Sequence, residues 1–254
     1  MFETYTIIII GGTFFLAGGI KGVIGLGLPT VSLGLLAATI DLTTAMALLL
    51  IPSFVTNVWQ AVAGGNGKTI LHRIWPFLCF ATITIWIGAK ALSTIDSSYL
   101  SILLGILLLT YSMLNLLGLR FSIAPRHEKW AGPIAGTANG ILTGMTGSFV
   151  VPGVMYLQAI GLSRDMLVQA MGMLFSLSTI GLSIALQKNN LLTSELALVS
   201  AVAVVPAIIG MLVGQRVRKS ISETKFRKIF YISIFILGAF IVAKSVFLSL
   251  IHIS

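Results

Sequence analysis

Apolar residues run through the chain in eight long stretches, 5–39, 43–63, 70–92, 98–118, 131–160, 166–187, 195–214 and 228–251, parted by short polar segments. A helix needs about 20 mostly apolar residues to cross a bilayer, and every stretch is long enough. The pattern predicts an all-α, polytopic membrane protein. Stretches 5–39 and 131–160 are too long for one plain span, and both are broken by glycine and proline. The first break reads Gly22-Val23-Ile24-Gly25-Leu26-Gly27-Leu28-Pro29. The second runs from Gly140 through Gly144-Met145-Thr146-Gly147-Ser148-Phe149-Val150-Val151-Pro152. Pro29 and Pro152 lie 123 residues apart, and Asp41 and Asp165, each ahead of the next helix, lie 124 apart. Such a steady offset implies an internal duplication. The first repeat covers 1–124 and the second 125–254, joined in the basic segment Arg120 to Lys129, with about four apolar stretches in each and the two together forming one transmembrane domain.

Composition agrees with that picture. Apolar residues make up 57% of the 254 and charged ones 9%, and mean hydropathy is +1.03, so the lipid bilayer is the expected solvent. The net charge of +9 does not point to nucleic acid, because the basic residues flank the spans, where cytoplasmic loops collect them. Three loops are richest: Lys68 and Arg73; Arg120, Arg126 and Lys129; and Arg216, Arg218, Lys219, Lys225, Arg227 and Lys228. With Arg164 they hold twelve of the 16 basic residues. All three loops share one side only if the broken stretch 131–160 reverses within the membrane, and by the duplication 5–39 does the same. Each half then crosses an odd number of times, so the repeats are inverted, as in many secondary transporters. The alternative, in which both are single broken spans, gives parallel repeats and puts the loop Arg120 to Lys129 outside, against the charge bias.

A glycine-rich break at membrane depth exposes peptide groups that lipid cannot satisfy, so it must face protein or a watery cavity. Two breaks at matching positions point to one central site. Pro29 and Pro152 are placed to begin half-helices whose free N–H groups would face an anion. The candidate binding residues are therefore Lys21, Gly22, Gly25, Gly27 and Thr30 in the first repeat and Asn139, Thr143, Gly144, Thr146, Gly147 and Ser148 in the second. The competing reading of the glycines is close helix packing. Lys21 is the sharpest candidate, since a lysine at depth costs roughly 2.5–3.5 kcal/mol to insert; the rival reading is an ammonium that snorkels to the surface. Ser53, Thr56, Asn57 and Gln60 repeat at helical spacing and share one face. Asn57 and Gln60, with Gln169 in the sixth stretch, are pathway candidates. Pro52 frees the Leu48 carbonyl, which either meets a substrate or marks a bend.

Together, Gly-Ile-Lys-Gly-Val-Ile-Gly-Leu-Gly at 19–27, Pro-Ser-Phe-Val-Thr-Asn-Val-Trp-Gln at 52–60, the glycine-proline segment at 140–152 and Gln169-Ala170-Met171-Gly172 resemble the sulfite exporter TauE/SafE family of membrane transporters over nearly the whole chain. The resemblance implies transport, often export, of sulfite, sulfonates, sulfoacetate or related small organic anions. The chain departs from the commoner first-half pattern, in which further glycines stand where Leu26, Leu28 and Pro29 stand here.

The expected protein is a secondary transporter that exports such an anion by alternating access across a bacterial-type cytoplasmic membrane; an anion channel, or an importer of the same anions, is the alternative. All seven acidic residues lie at helix ends or in loops, so no buried carboxylate relay is expected. A serine nucleophile at Ser148 would lack a nearby base, and no catalytic residue is assigned. Cys79 is the single cysteine, which excludes an intrachain disulfide and a thiolate metal centre. No metal or other cofactor is expected. The expected partners are the small anion, the bilayer and, in a homodimer, a second copy.

Overall fold

The computed structural model describes residues 3–119, 121–218 and 220–253, and every regular element in it is helical. Arg120 and Lys219 of the basic loops lie outside the described residues. In chain order the α-helices are α1 (Thr4–Ile24), α2 (Leu28–Thr39), α3 (Leu42–Leu48), α4 (Leu50–Val62), α5 (Gly67–Ile83), α6 (Ile85–Ala89), α7 (Ser97–Leu116), α8 (Glu128–Thr146), α9 (Gly153–Ala159), α10 (Arg164–Lys188), α11 (Ser194–Val217) and α12 (Glu223–Ile253). Six helical segments have the length and apolarity of a membrane span: α1, Gly67–Ser93, α7, α10, α11 and most of α12. The pair α3 and α4, bent by 45°, has the combined length and apolarity of a broken span or a re-entrant loop. All eight apolar stretches form helices, with 5–39 and 131–160 interrupted at 25–27 and 147–152. Helices α10 and α12 begin ahead of their apolar runs, at Arg164 and Glu223, because charged side chains at a helix end reach water while their backbone continues the ladder. Asp165 and Glu223 in the first turns also complement the positive helix end.

The helices form two compact units, one from Met1–Pro52, Ile95–Gly118 and Leu192–Ser254, the other from Ser53–Thr94 and Leu119–Leu191. Each unit contains helices from both halves of the sequence. In the first, α1 lies along α11: Gly18 meets Ala207, Gly22 meets Met211 and Gln215, Gly210 meets Phe15 and Gly214 meets Gly19. A Cβ on any of these glycines would run into main-chain atoms of the neighbouring helix. Inside lipid there is little hydrophobic drive between helices, so this close backbone approach supplies the packing energy. Residue numbers rise together along the seam, so the two helices are parallel. Helix α7 packs on α12 in the same manner, with Gly105 against Gly238 and Val242. Lys244, a lysine inside an apolar stretch, donates from Nζ to the Ala38 carbonyl at 2.8 Å. It thus neutralises the negative, carbonyl-bearing end of α2.

The bend between α3 and α4 has a local cause and a local remedy. Pro52 has no N–H to offer the Leu48 carbonyl. Ser200 of α11 substitutes: its Oγ donates to Leu48 O at 2.8 Å and accepts from the Ile51 N–H at 3.1 Å. The Leu48 carbonyl is therefore capped within the protein. Ser200 lies early in α11, whereas the later part of α1 meets Ala207 to Gln215. By Leu48 the chain has turned back toward the start of α1.

In the second unit α8 runs parallel to α5 and α6 on another glycine seam. Gly136 meets Phe77, Gly140 meets Ala81 and Thr84, Gly144 meets Ile85 and Ala89, and Gly88 meets Ile141. The segment 131–160 reverses, as the basic loops required. Arg73 donates from Nε and Nη2 to the Glu128 carboxylate at 2.9 and 2.6 Å, and from Nη2 to the Ile160 carbonyl at 2.7 Å. The Ile123 N–H donates to Ala159 O at 2.9 Å. The start of α8 and the end of α9 are thus fastened to one place, at the end of the unit that carries Lys68, Arg73, Arg126 and Lys129. At its other end Lys188 Nζ lies 4.1 Å from the centre of the Trp86 ring.

Ser200→Ala leaves the buried Leu48 carbonyl and the part-buried Ile51 N–H without their hydroxyl partner. Each buried unpaired group costs about 1–3 kcal/mol, so the variant should unfold at a clearly lower temperature in detergent, and Ser200→Thr should recover most of the loss. An unchanged midpoint for Ser200→Ala would refute the capping role.

Candidate functional site

Helix α8 is unbroken over 19 residues, about 28 Å at 1.5 Å per residue, and stops at Gly147. Gly147 has φ of 72°, a left-handed conformation that a side chain disfavours, and its N–H bonds Thr143 O at 2.7 Å. The irregular segment that follows is held by short polar side chains. Thr143 Oγ1 donates to Ser148 O at 2.9 Å, Thr146 Oγ1 donates to Leu142 O at 2.7 Å, and the Ser148 N–H donates to Thr146 Oγ1 at 3.2 Å. Six residues, 147–152, separate α8 from α9. The first N–H of α9, at Gly153, donates to Asn139 Oδ1 at 2.9 Å. Asn139 stands near the middle of α8, so α9 begins halfway along its companion, as a half-helix should. Pro152 is the residue before α9, and Pro29 is the second residue of α2.

Asn139, Thr143, Thr146 and Ser148 are all buried. Gly144 belongs to the packing seam against Ile85 and Ala89, and Gly147 to the helix stop. One polar atom in this group stands apart: Nδ2 of Asn139 is buried and has no hydrogen-bond partner. Because Oδ1 receives the Gly153 N–H, the orientation of the amide is determined, and Nδ2 is a donor facing away from α9's first turn.

The first unit contains the matching break. Helix α1, 21 residues long, ends at Gly25 with φ of 79°, and the Gly25 N–H bonds Lys21 O at 2.8 Å. Lys21 therefore occupies the same cap position as Thr143, an offset of 122 residues. The break is shorter here, from Gly25 to Gly27, and Gly27, with φ of 110°, precedes α2. Lys21 is buried, with 4% of its surface exposed, and Thr30 is buried in the first turn of α2. Gly22 faces α11 in the glycine seam. Ser32 donates to its own helix at Leu28 O, 2.7 Å.

The polar stripe of α4 faces inward. Ser53, Thr56 and Asn57 are buried, and Asn57 Nδ2 donates to Ser53 Oγ at 2.9 Å. Gln60 and Gln169 come together in the second unit as a reciprocal clamp. Gln60 Nε2 donates to Val168 O and Gln169 Nε2 to Ala61 O, each at 2.7 Å, while the Asn66 N–H donates to Gln169 Oε1 at 3.0 Å. Gly172 lets α10 approach Ala61. Of the candidates, Lys21, Gly22, Gly25, Gly27 and Thr30 belong to the first unit and the rest to the second. Sequence reasoning passed over Arg73, Glu128 and Ser200, which hold the breaks and bends; only their partners, distant in the chain, reveal them.

Interrupted helices whose ends are held by buried polar groups recur in many membrane transporters. The family model described as Sulfite exporter TauE/SafE matches residues 10–241, and the chain belongs to that family. It is a multi-pass protein of a membrane-transporter family. No curated protein and no solved structure gives a significant match.

Gln169→Leu removes two of the three hydrogen bonds of the clamp and leaves Ala61 O and the Asn66 N–H unpaired. The expected loss is about 2 kcal/mol of stability, read as a lower thermal midpoint in detergent. A midpoint equal to the parent's, with transport lost, would instead mark Gln169 as a pathway residue alone.

Proposed function

We propose that the chain exports a small anion, a sulfite, sulfonate, sulfoacetate or similar organic anion, by alternating access. The observation that carries the reading is family membership over residues 10–241. Two features of the chain support it. Each half interrupts a long helix with a glycine stop followed by a short helix, and the polar residues around both stops are uncharged apart from Lys21. Neutral amides and hydroxyls bind oxyanions without holding them so strongly that release fails. Lys21, buried one turn before the first break, supplies positive charge on the route of the anion. Coupling follows from the charge of the cargo. An inside-negative potential expels a monovalent anion with about 2.3 kcal/mol per 100 mV, and the acidic residues at helix ends and in loops offer no relay for a proton.

In proteoliposomes, efflux of sulfite or sulfoacetate should saturate, show counterflow and accelerate when a potential negative on the anion-containing side is imposed. Flux that ignores the potential would overturn the coupling, and non-saturable flux without counterflow would favour a channel. Lys21→Ala should weaken binding of the transported anion at least tenfold; equal affinity would remove Lys21 from the site.

A further inference from the structure

The segment 216–228, where α11 gives way to α12, carries six basic residues, Arg216, Arg218, Lys219, Lys225, Arg227 and Lys228, against one acidic residue, Glu223. Arg227 answers Glu223, with Nε 3.6 Å from Oε1 one helical turn away. Arg216, Arg218, Lys225 and Lys228 are exposed, and among the described residues none of the four has an ion pair or a side-chain hydrogen bond. The basic end of the second unit differs, for there Arg73 is committed to Glu128 and the Ile160 carbonyl and Arg126 donates to His127. Between the exposed cations of the first unit stand exposed apolar side chains, Val217, Ile221 and Ile229. Loop charge bias places such cations on one side of the membrane; it does not call for apolar side chains among them.

We propose that this end of the first unit is a docking surface for the anionic phospholipid headgroups of the leaflet it faces. Depth selects the occupant. Helix α11 continues to Val217, so Arg216 and Arg218 stand about 3 and 6 Å of helix past Gly214, where the apolar run 195–214 stops. Lys228 opens the run 228–251, and Lys225 stands about 4.5 Å ahead of it. All four cations are thus rooted within about 8 Å of the apolar layer, the screening length at physiological salt, which is the level of the headgroups. Long basic side chains lay their methylenes on that layer and carry the charge to a phosphate oxygen, while Val217, Ile221 and Ile229 enter the acyl boundary. The surface also bears on the first break. Beyond Lys228, α12 lies along α2: a Cβ on Gly27 would stand 3.2 Å from the Phe230 ring, Leu237 lies against Gly34, and Lys244 holds the Ala38 carbonyl. Headgroups that hold the start of α12 therefore steady the half-helix after the break, and a bound anionic lipid stabilises the fold.

The test uses full-length purified protein in detergent, titrated with phosphatidylglycerol or phosphatidylcholine and read by thermal midpoint and by native mass spectrometry of retained lipid. Phosphatidylglycerol should raise the midpoint and be retained in preference to phosphatidylcholine, and salt at about 0.5 M should remove most of that preference in the parent protein. Each cation at the headgroup layer contributes about a fivefold factor in binding, so Arg216→Gln with Arg218→Gln should weaken phosphatidylglycerol binding roughly thirtyfold. A charge-matched pair in the second unit, Lys68→Gln with Lys129→Gln, should leave that binding unchanged. Equal retention of the two lipids, a preference that ignores salt, or an equal loss in both double variants overturns the docking surface. A midpoint raised as much by inorganic phosphate or by polyglutamate as by phosphatidylglycerol overturns the lipid as occupant and assigns the surface to a soluble anion or to an acidic protein segment.

Discussion

A peptide group inside a bilayer must find its hydrogen bond within the protein, and this requirement accounts for the helix breaks and bends described above. Five such places among the described residues are matched by a group that completes them. The Gly25 and Gly147 stops return their N–H groups to Lys21 and Thr143. Asn139 receives the first N–H of α9, Ser200 closes the gap at Pro52, and Lys244 covers the end of α2. Asn139, Thr143, Thr146 and Ser200 are thus polar residues placed by the breaks they complete, beside glycine and proline.

A second constraint acts on the glycines. The helix that opens each half packs on a helix contributed by the other half: α1 on α11, and α8 on α5 and α6. Both seams are parallel and both use glycines spaced one turn apart, Gly18 and Gly22 in one and Gly136, Gly140 and Gly144 in the other. This correspondence is what a duplicated sequence would produce if each copy built its seam by the same rule. It also divides the glycines of the breaks by task. Gly22 and Gly144 serve contact, whereas Gly25 and Gly147 serve direction of the chain.

Much of the fold was legible in the sequence because its signals are long and periodic. The eight apolar stretches, the reversal of 131–160 demanded by loop charge and the inward stripe of α4 all follow from pattern alone. The site was legible in outline only. Thr143, Thr146 and Ser148 were recognisable as polar groups at a break, but their bonding to one another depends on a backbone path that spacing does not specify. Gln60 was legible as part of the α4 stripe and Gln169 as its counterpart in the sixth stretch, but not their mutual clamp, which requires two helices more than 100 residues apart to cross at Gly172. Ser178 is indistinguishable in sequence from Ser176 and Thr179, since all three are small hydroxyl residues in one helix, yet Ser176 and Thr179 return their hydroxyls to that helix and Ser178 does not.

The fastening at Arg73 has a mechanical consequence. One guanidinium grips the first residue of α8 and the residue that follows α9, so the hairpin is a closed loop of chain with its knot at the rim of the unit. The Gly153 N–H is tied to Asn139 midway along α8, and Ser148 to Thr143 and Thr146 at the turn, so a load on the hairpin is shared along its length instead of passing to one anchor.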